Sequence, residues 1–192
     1  MNINKAIKKQ EKAHKRLLLI LGFIFLALPI ILFAAGRLEI FFVLYLVVIE
    51  TMILMSIIIS FNSNYLNYRL ENFKLKIRLN KFGETYNISC DKVLLVHCEK
   101  QGSHMEIILI TNSRFRNKRI KEVDGIFIKK YSYLSQEYIR MKRLRPEDNY
   151  YYFVISKGGF EKYKLLDLIY RNCLVARYTD NAVDRIKEFR NS

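Results

Sequence analysis

Residues 17–35 read LLLILGFIFLALPIILFAA, and residues 40–61 read IFFVLYLVVIETMILMSIIISF. The first stretch has no charged residue; the second has one, Glu50. Helices of these lengths would reach about 28 and 33 Å, against a hydrocarbon core of about 30 Å. A buried helix of a soluble protein is rarely so uniformly apolar over this length, so the two stretches predict a pair of transmembrane helices. Pro29 predicts a kink that a membrane helix tolerates. Only Gly36-Arg37-Leu38-Glu39 separates the two, which forces a tight antiparallel hairpin. Ala34-Ala35-Gly36 offers a rival reading as a signal-peptide cleavage site. That run is too long for an h-region, and a second span follows at once.

The flanks set an orientation. Residues 1–16 carry Lys5, Lys8, Lys9, Lys12, Lys15 and Arg16 against Glu11. The hairpin turn carries one Arg and one Glu, and residues 62–192 carry a net +11 of the total +15. Basic residues stay on the cytoplasmic side, so both termini are expected in the cytoplasm and the chain in the cell membrane. The expected organisation is a basic N-terminus over 1–16, a hairpin over 17–61 and a cytoplasmic domain over 62–192. The even mean hydropathy of +0.00 conceals this split. A hydrophobic share of 51% is too high for a disordered tail. Three cysteines cannot all pair within one chain.

Within 62–192 the pattern changes from continuous to alternating. Phe73 to Leu79 alternates apolar and basic residues, the signature of a half-buried strand. Asn80 to Gly83 reads as a turn, and 84–89 as the return strand. Residues 92–98 and 105–111 read as further, more apolar strands. Residues 150–155 form another, and Lys157-Gly158-Gly159 predicts a hairpin with residues 160–164 as its partner. Helices are expected over 132–144 and 165–176, and after a cap at Thr179 or Asp180. Tyr65 and Tyr68 stand where an interfacial aromatic belt would lie. The fold class is thus an α+β membrane protein, with a mainly antiparallel domain, a helical insertion and C-terminal helices.

The short hairpin, the alternating strand from Phe73, the Asn80–Gly83 turn, the strand from Lys92 and the helix after Thr179 form one layout. It resembles bacterial two-transmembrane-helix proteins with a pleckstrin-homology-like (PH-like) cytoplasmic domain. The resemblance implies a small barrel used for interaction, with no catalytic residues to carry over. The insertion over 112–145 departs from that layout.

Two features stand out as candidate sites. Glu50 is the eleventh residue of its 22-residue stretch, near the expected bilayer centre and level with about Leu26. A carboxylate at that depth requires a partner or a proton, and the first helix offers no basic or amide side chain. Its expected roles are a protonated residue bonded to a backbone carbonyl or to Thr51, contact with another membrane protein or with copies of this chain, or, least of all, a place on an ion or proton pathway, since two helices alone enclose no pore. The second feature is the basic run Arg114, Arg116, Lys118, Arg119 and Lys121. Residues 112–145 hold 11 basic and 3 acidic residues, a face suited to anionic lipid headgroups, to a phosphorylated ligand or to an acidic protein. Nucleic acid is not expected as a partner, because aromatic interleaving is thin and no known motif occurs.

Cys90, His97, Cys98 and His104 lack the paired spacing of zinc sites, and His97 and Cys98 point to opposite faces of a strand. No cofactor or metal is expected. No phosphate loop, metalloprotease or nucleophile-elbow motif occurs, so no enzyme is expected. The sequence therefore leads to a non-enzymatic accessory or scaffold subunit of a bacterial membrane complex. A ligand-gated two-helix effector that oligomerises is the alternative, and a membrane-bound enzyme is a distant third.

Overall fold

The computed structural model describes residues 2–36, 39–81, 83–115 and 119–192. Arg116 and Lys118 of the basic run lie outside the described residues. The first helix, α1 (Ile3–Ala34), is 32 residues long and begins well before the apolar stretch. The Asn2 side chain caps it by accepting from the Lys5 N–H at 2.9 Å. Lys, Glu, Gln and Ala fill its first half, and all are strong helix formers. The basic N-terminal stretch is therefore the beginning of the same helix that carries the apolar residues. Helix α2 (Ile40–Ser63) returns antiparallel after a turn with Gly36 at φ +65°. Both helices are long and apolar enough to cross a membrane.

One stripe runs the length of α1. Ile3, Ile7, Gln10, His14, Leu18, Leu21, Phe25, Leu28 and Leu32 recur at intervals of three and four, and all are at least partly buried. Its first turns pack on the mixed domain, where Ile3 is 0% and Ile7 4% exposed. The rest faces α2. Many other apolar side chains of the hairpin, Leu19, Phe23, Phe41 and Ile59 among them, are exposed.

Among the described residues, eight strands make two open sheets. β1 (Asn67–Glu71), β2 (Lys74–Arg78) and β3 (Thr85–Ser89) form an antiparallel three-stranded sheet. β4 (Val93–Glu99), β5 (Glu106–Thr111), β6 (Lys121–Glu122), β7 (Tyr151–Ile155) and β8 (Arg177–Tyr178) form a second sheet in the order β6-β7-β5-β4-β8. All its pairs are antiparallel except β8 on β4, where Leu95 faces Arg177. The helices of the domain are α3 (Gly125–Lys130), α4 (Ser132–Leu144), α5 (Glu161–Asn172) and α6 (Asp180–Arg190).

The expected barrel is absent, and the reason is layering. One face of the five-stranded sheet packs Ile107, Leu109, Phe153 and Ile155 with Leu75 and Ile77 of β2, with α5 and α6, and with Ile3 and Ile7. The other face packs Ile108 and Ile110 under Phe127, Leu134 and Met141 of α3 and α4. With both faces covered, β5 buries four apolar residues in a row. The insertion that departs from the PH-like layout is the cover of the second face. β3 leads through a short 3-10 turn at Cys90–Lys92 into β4, but the two strands belong to different sheets.

The expected hairpin at Gly158-Gly159 is also corrected. Both glycines have positive φ, +102° and +52°, and they turn the chain into α5. Tyr163, Leu166 and Ile169 then face the core at helical spacing. A Cβ on Gly158 would collide with Leu66, and one on Gly159 with Gln10. Close approach to β1 and α1, together with positive φ, therefore explains the glycine pair. Tyr68 belongs to β1 and packs against the main core rather than forming part of an interfacial belt.

Candidate functional site

Glu50 lies on α2 beside the residues that face α1, and it is half-buried. His14 meets Ser60 toward one end of the hairpin, and Leu28 and Leu46 line one groove toward the other. That register sets Glu50 level with about Ile24, close to the expected Leu26. Gly22 sits on the facing stripe of α1 with open space where a side chain would be. Thr51 does not serve Glu50: its hydroxyl donates to the carbonyls of Val47 at 2.6 Å and Val48 at 2.9 Å. Among the described residues Glu50 has no hydrogen bond or ion pair. The groove toward the hairpin turn holds about 390 Å³ and is lined by apolar side chains and Tyr45.

A polar clasp joins the hairpin to the domain, and sequence reading did not find it. Gln10 uses both ends of its amide: Oε1 accepts from the Phe160 N–H at 3.0 Å, and Nε2 donates to Asn64 Oδ1 at 3.2 Å. One turn on, His14 Nδ1 lies 3.2 Å from Ser60 Oγ and 3.3 Å from Asn64 Nδ2. The His14 ring meets the edge of Phe61 at 5.7 Å. The Gly158 N–H reaches the Ser63 carbonyl at 3.4 Å. Lys81 stands over the Phe61 ring at 5.4 Å. These contacts surround a cavity of about 390 Å³ that Glu11, Tyr65 and Glu161 also line. The available signal was the 3,7,10,14 spacing before the apolar run, which reads as a helical face once Gln10 and His14 are allowed on it.

Three residues of the expected basic face are among the described residues. Arg114, Arg119 and Lys121 are exposed. Arg119 lies 6.0 Å from the Tyr86 ring, and Lys121 belongs to the edge strand β6 opposite Tyr152. A separate basic cleft forms at another place on the domain. Arg140 and Arg143 on α4 and Arg177 on β8 line a space of about 600 Å³ with Gln136, Ile139 and Leu144. Arg140 and Arg143 were legible as one helical face. Arg177 joins them only through the parallel pairing of β8 with β4.

The titratable groups of the interior are committed to structure. Lys162 is fully buried, and its ammonium donates to the carbonyls of Ser103 at 3.1 Å and Ser156 at 2.9 Å. Burial lowers its pKa from the ordinary 10.5 to about 8. His97 stacks on Tyr133, and its Nδ1 lies 2.9 Å from Thr179 Oγ1. Desolvation lowers its pKa to about 4. Cys90 and Cys98 face the main core, where Cys90 meets Cys173, so the four Cys and His residues of the zinc-like string do not converge. Burial raises the Cys98 thiol to about 12. Asp167 pairs with Arg171 at 2.6 Å and Arg190 at 2.7 Å, tying α5 to α6.

No family model matches the chain, and no curated protein or solved structure shows a significant match to it.

Proposed function

We propose that this chain is a non-enzymatic accessory or scaffold subunit of a membrane complex. In this reading its helical hairpin spans the cell membrane with both ends in the cytoplasm, and the mixed domain presents basic faces to partners there. The observation that carries the reading is the continuity of α1, whose buried Ile3 and Ile7 lie in the domain core while its second half packs on α2. A domain so joined to its anchor is held at a fixed height and angle, which suits it to position a partner. The orientation rests on Lys12, Lys15 and Arg16 at the end of the apolar stretch. Lys81, beside Phe61, adds a further charge where anionic headgroups would meet the protein.

Glu50 is the contact by which the hairpin pairs with another membrane protein or with copies of itself. A half-buried carboxylate without a partner in its own hairpin gains most from a donor on a second one. The test is native mass measurement of the full-length chain, extracted into nanodiscs from the cells that express it. The expected result is a discrete complex mass that falls toward the monomer in Glu50→Gln and Glu50→Ala. An unchanged assembly in both variants refutes the role of Glu50.

The second reading is a ligand-gated effector that oligomerises in the membrane. The same continuity of α1 favours it, because a shift in the domain would reach the hairpin without passing a flexible linker. Growth inhibition on expression that depends on a phosphorylated signal separates it from the scaffold, which has no such requirement.

A further inference from the structure

Arg140, Arg143 and Arg177 come from two elements far apart in sequence and line one cleft of about 600 Å³, with no carboxylate in its wall. Among the described residues none of the three guanidinium groups has an ion pair or hydrogen bond. Other arginines of the domain are paired: Arg171 and Arg190 with Asp167, and Arg185 with Glu188. Basic residues in the last turn of a helix are favoured by the helix dipole, which accounts for Arg143 on α4 but not for Arg140. It does not account for Arg177, which an edge strand delivers to the same cleft. Like charges gathered in this way repel one another until an anion neutralises them. The planar guanidinium fork fits phosphoryl oxygens two at a time, which lysine cannot do.

The position of the cleft selects the source of the anion. Arg177 pairs beside Leu95, at the start of β4. The end of β4 and the end of β7 lead instead to Ser103 and Ser156, which Lys162 holds together close to the Gln10–Phe160 contact with the anchor. The cleft is thus at the opposite end of the sheet from the junction with the hairpin, away from any headgroup layer there. It is an open groove, since all six residues that line it are exposed. Gln136 adds an amide, and Ile139 and Leu144 add an aliphatic wall.

We infer that this cleft binds the phosphoryl group of a soluble, small phosphorylated ligand through Arg140, Arg143 and Arg177. The site is independent of Glu50 and of the Arg114–Lys121 run.

The experiment is calorimetric titration of the full-length chain, in phosphatidylcholine nanodiscs at about 0.15 M salt, with inorganic pyrophosphate. The expected result is saturable one-to-one binding with a midpoint below about 1 mM. Arg143→Ala and Arg177→Ala each weaken it about tenfold, Arg143→Lys by less, and Arg114→Ala leaves it unchanged. The three arginines are exposed, so thermal unfolding of the variants should match the parent. Absence of saturable binding overturns the inference, as does an equal loss in Arg114→Ala, which would mean charge without a site. Tighter binding of phosphatidylglycerol nanodiscs or of a polyglutamate peptide, lost in the same variants, also overturns it by naming a lipid or an acidic polypeptide as the occupant.

Discussion

The side-chain carbonyl of Gln10 accepts a hydrogen bond from the backbone N–H of Phe160 at 3.0 Å, across 150 residues of sequence. The bond joins the N-terminal half of α1 to the start of α5. Glycines at 158 and 159 leave room for it, since a side chain at 159 would occupy the place of the Gln10 amide.

Gln10→Ala removes both bonds of that amide and leaves the Phe160 N–H and Asn64 Oδ1 to find water. The expected loss is about 1–3 kcal/mol of stability. Hydrogen exchange at the start of α5 should quicken in this variant, while the amides of β4 and β5 keep their protection. Uniform protection across all three segments would show that the clasp contributes nothing.

Ile3 and Ile7 belong to the domain core although they precede the hairpin. Ile3→Ala or Ile7→Ala should destabilise the domain by about 2–5 kcal/mol each, as for other buried aliphatic truncations. Lys8→Ala, on the exposed side of the same turn, should be nearly neutral. Denaturant titration of the detergent-solubilised chain distinguishes them. A fragment of residues 62–192 lacks both isoleucines and should be less stable than the full chain by a comparable amount.

Acid should weaken the domain through His97. Its folded pKa is about 4 against the ordinary 6.5, so between these values the unfolded chain holds a proton that the folded chain does not. Stability therefore falls as pH drops from 6.5 toward 4. His97→Phe should flatten that slope in pH-dependent unfolding, and an unchanged slope would assign the effect to other groups.

Alkali should act in the opposite sense through Lys162. Its folded pKa is about 8 against 10.5, so between these values only the unfolded chain retains the proton. The Lys162 contribution rises with pH across that interval, against a loss above about pH 9 from Cys98, whose buried thiol is raised to about 12; Lys162→Met should remove the rising contribution and leave the loss. The measurement is the thermal midpoint at intervals from pH 7.5 to 10.5.

Much of the secondary structure was legible because the periodicities are strong. The helix over 132–144 is observed at those limits, and the alternating stretch from Phe73 gives β2. What failed was long-range. Nothing local in residues 177–178 marks a parallel edge strand, because its two residues pair with the start of β4. The glycines at 158 and 159 fit a hairpin and a helix entry equally well until Leu66 and Gln10 are in place beside them. The barrel was read from strand order, whereas the sheets stay open because α3 and α4 cover one face. Glu50 was legible as a lone charge in an apolar stretch. The clasp and the arginine cleft were not, since each is built from residues whose types are ordinary and whose convergence is set only by the fold.

The central claim is that α1 is one helix from the domain core into the hairpin. Hydrogen exchange of the full-length chain in nanodiscs, read amide by amide over residues 7–20, tests it most directly. The structure predicts continuous protection through Lys12, Lys15 and Arg16, with no break where the apolar stretch begins. Rapid exchange over residues 8–16 beside a protected apolar half would contradict it, leaving the domain on a flexible tether.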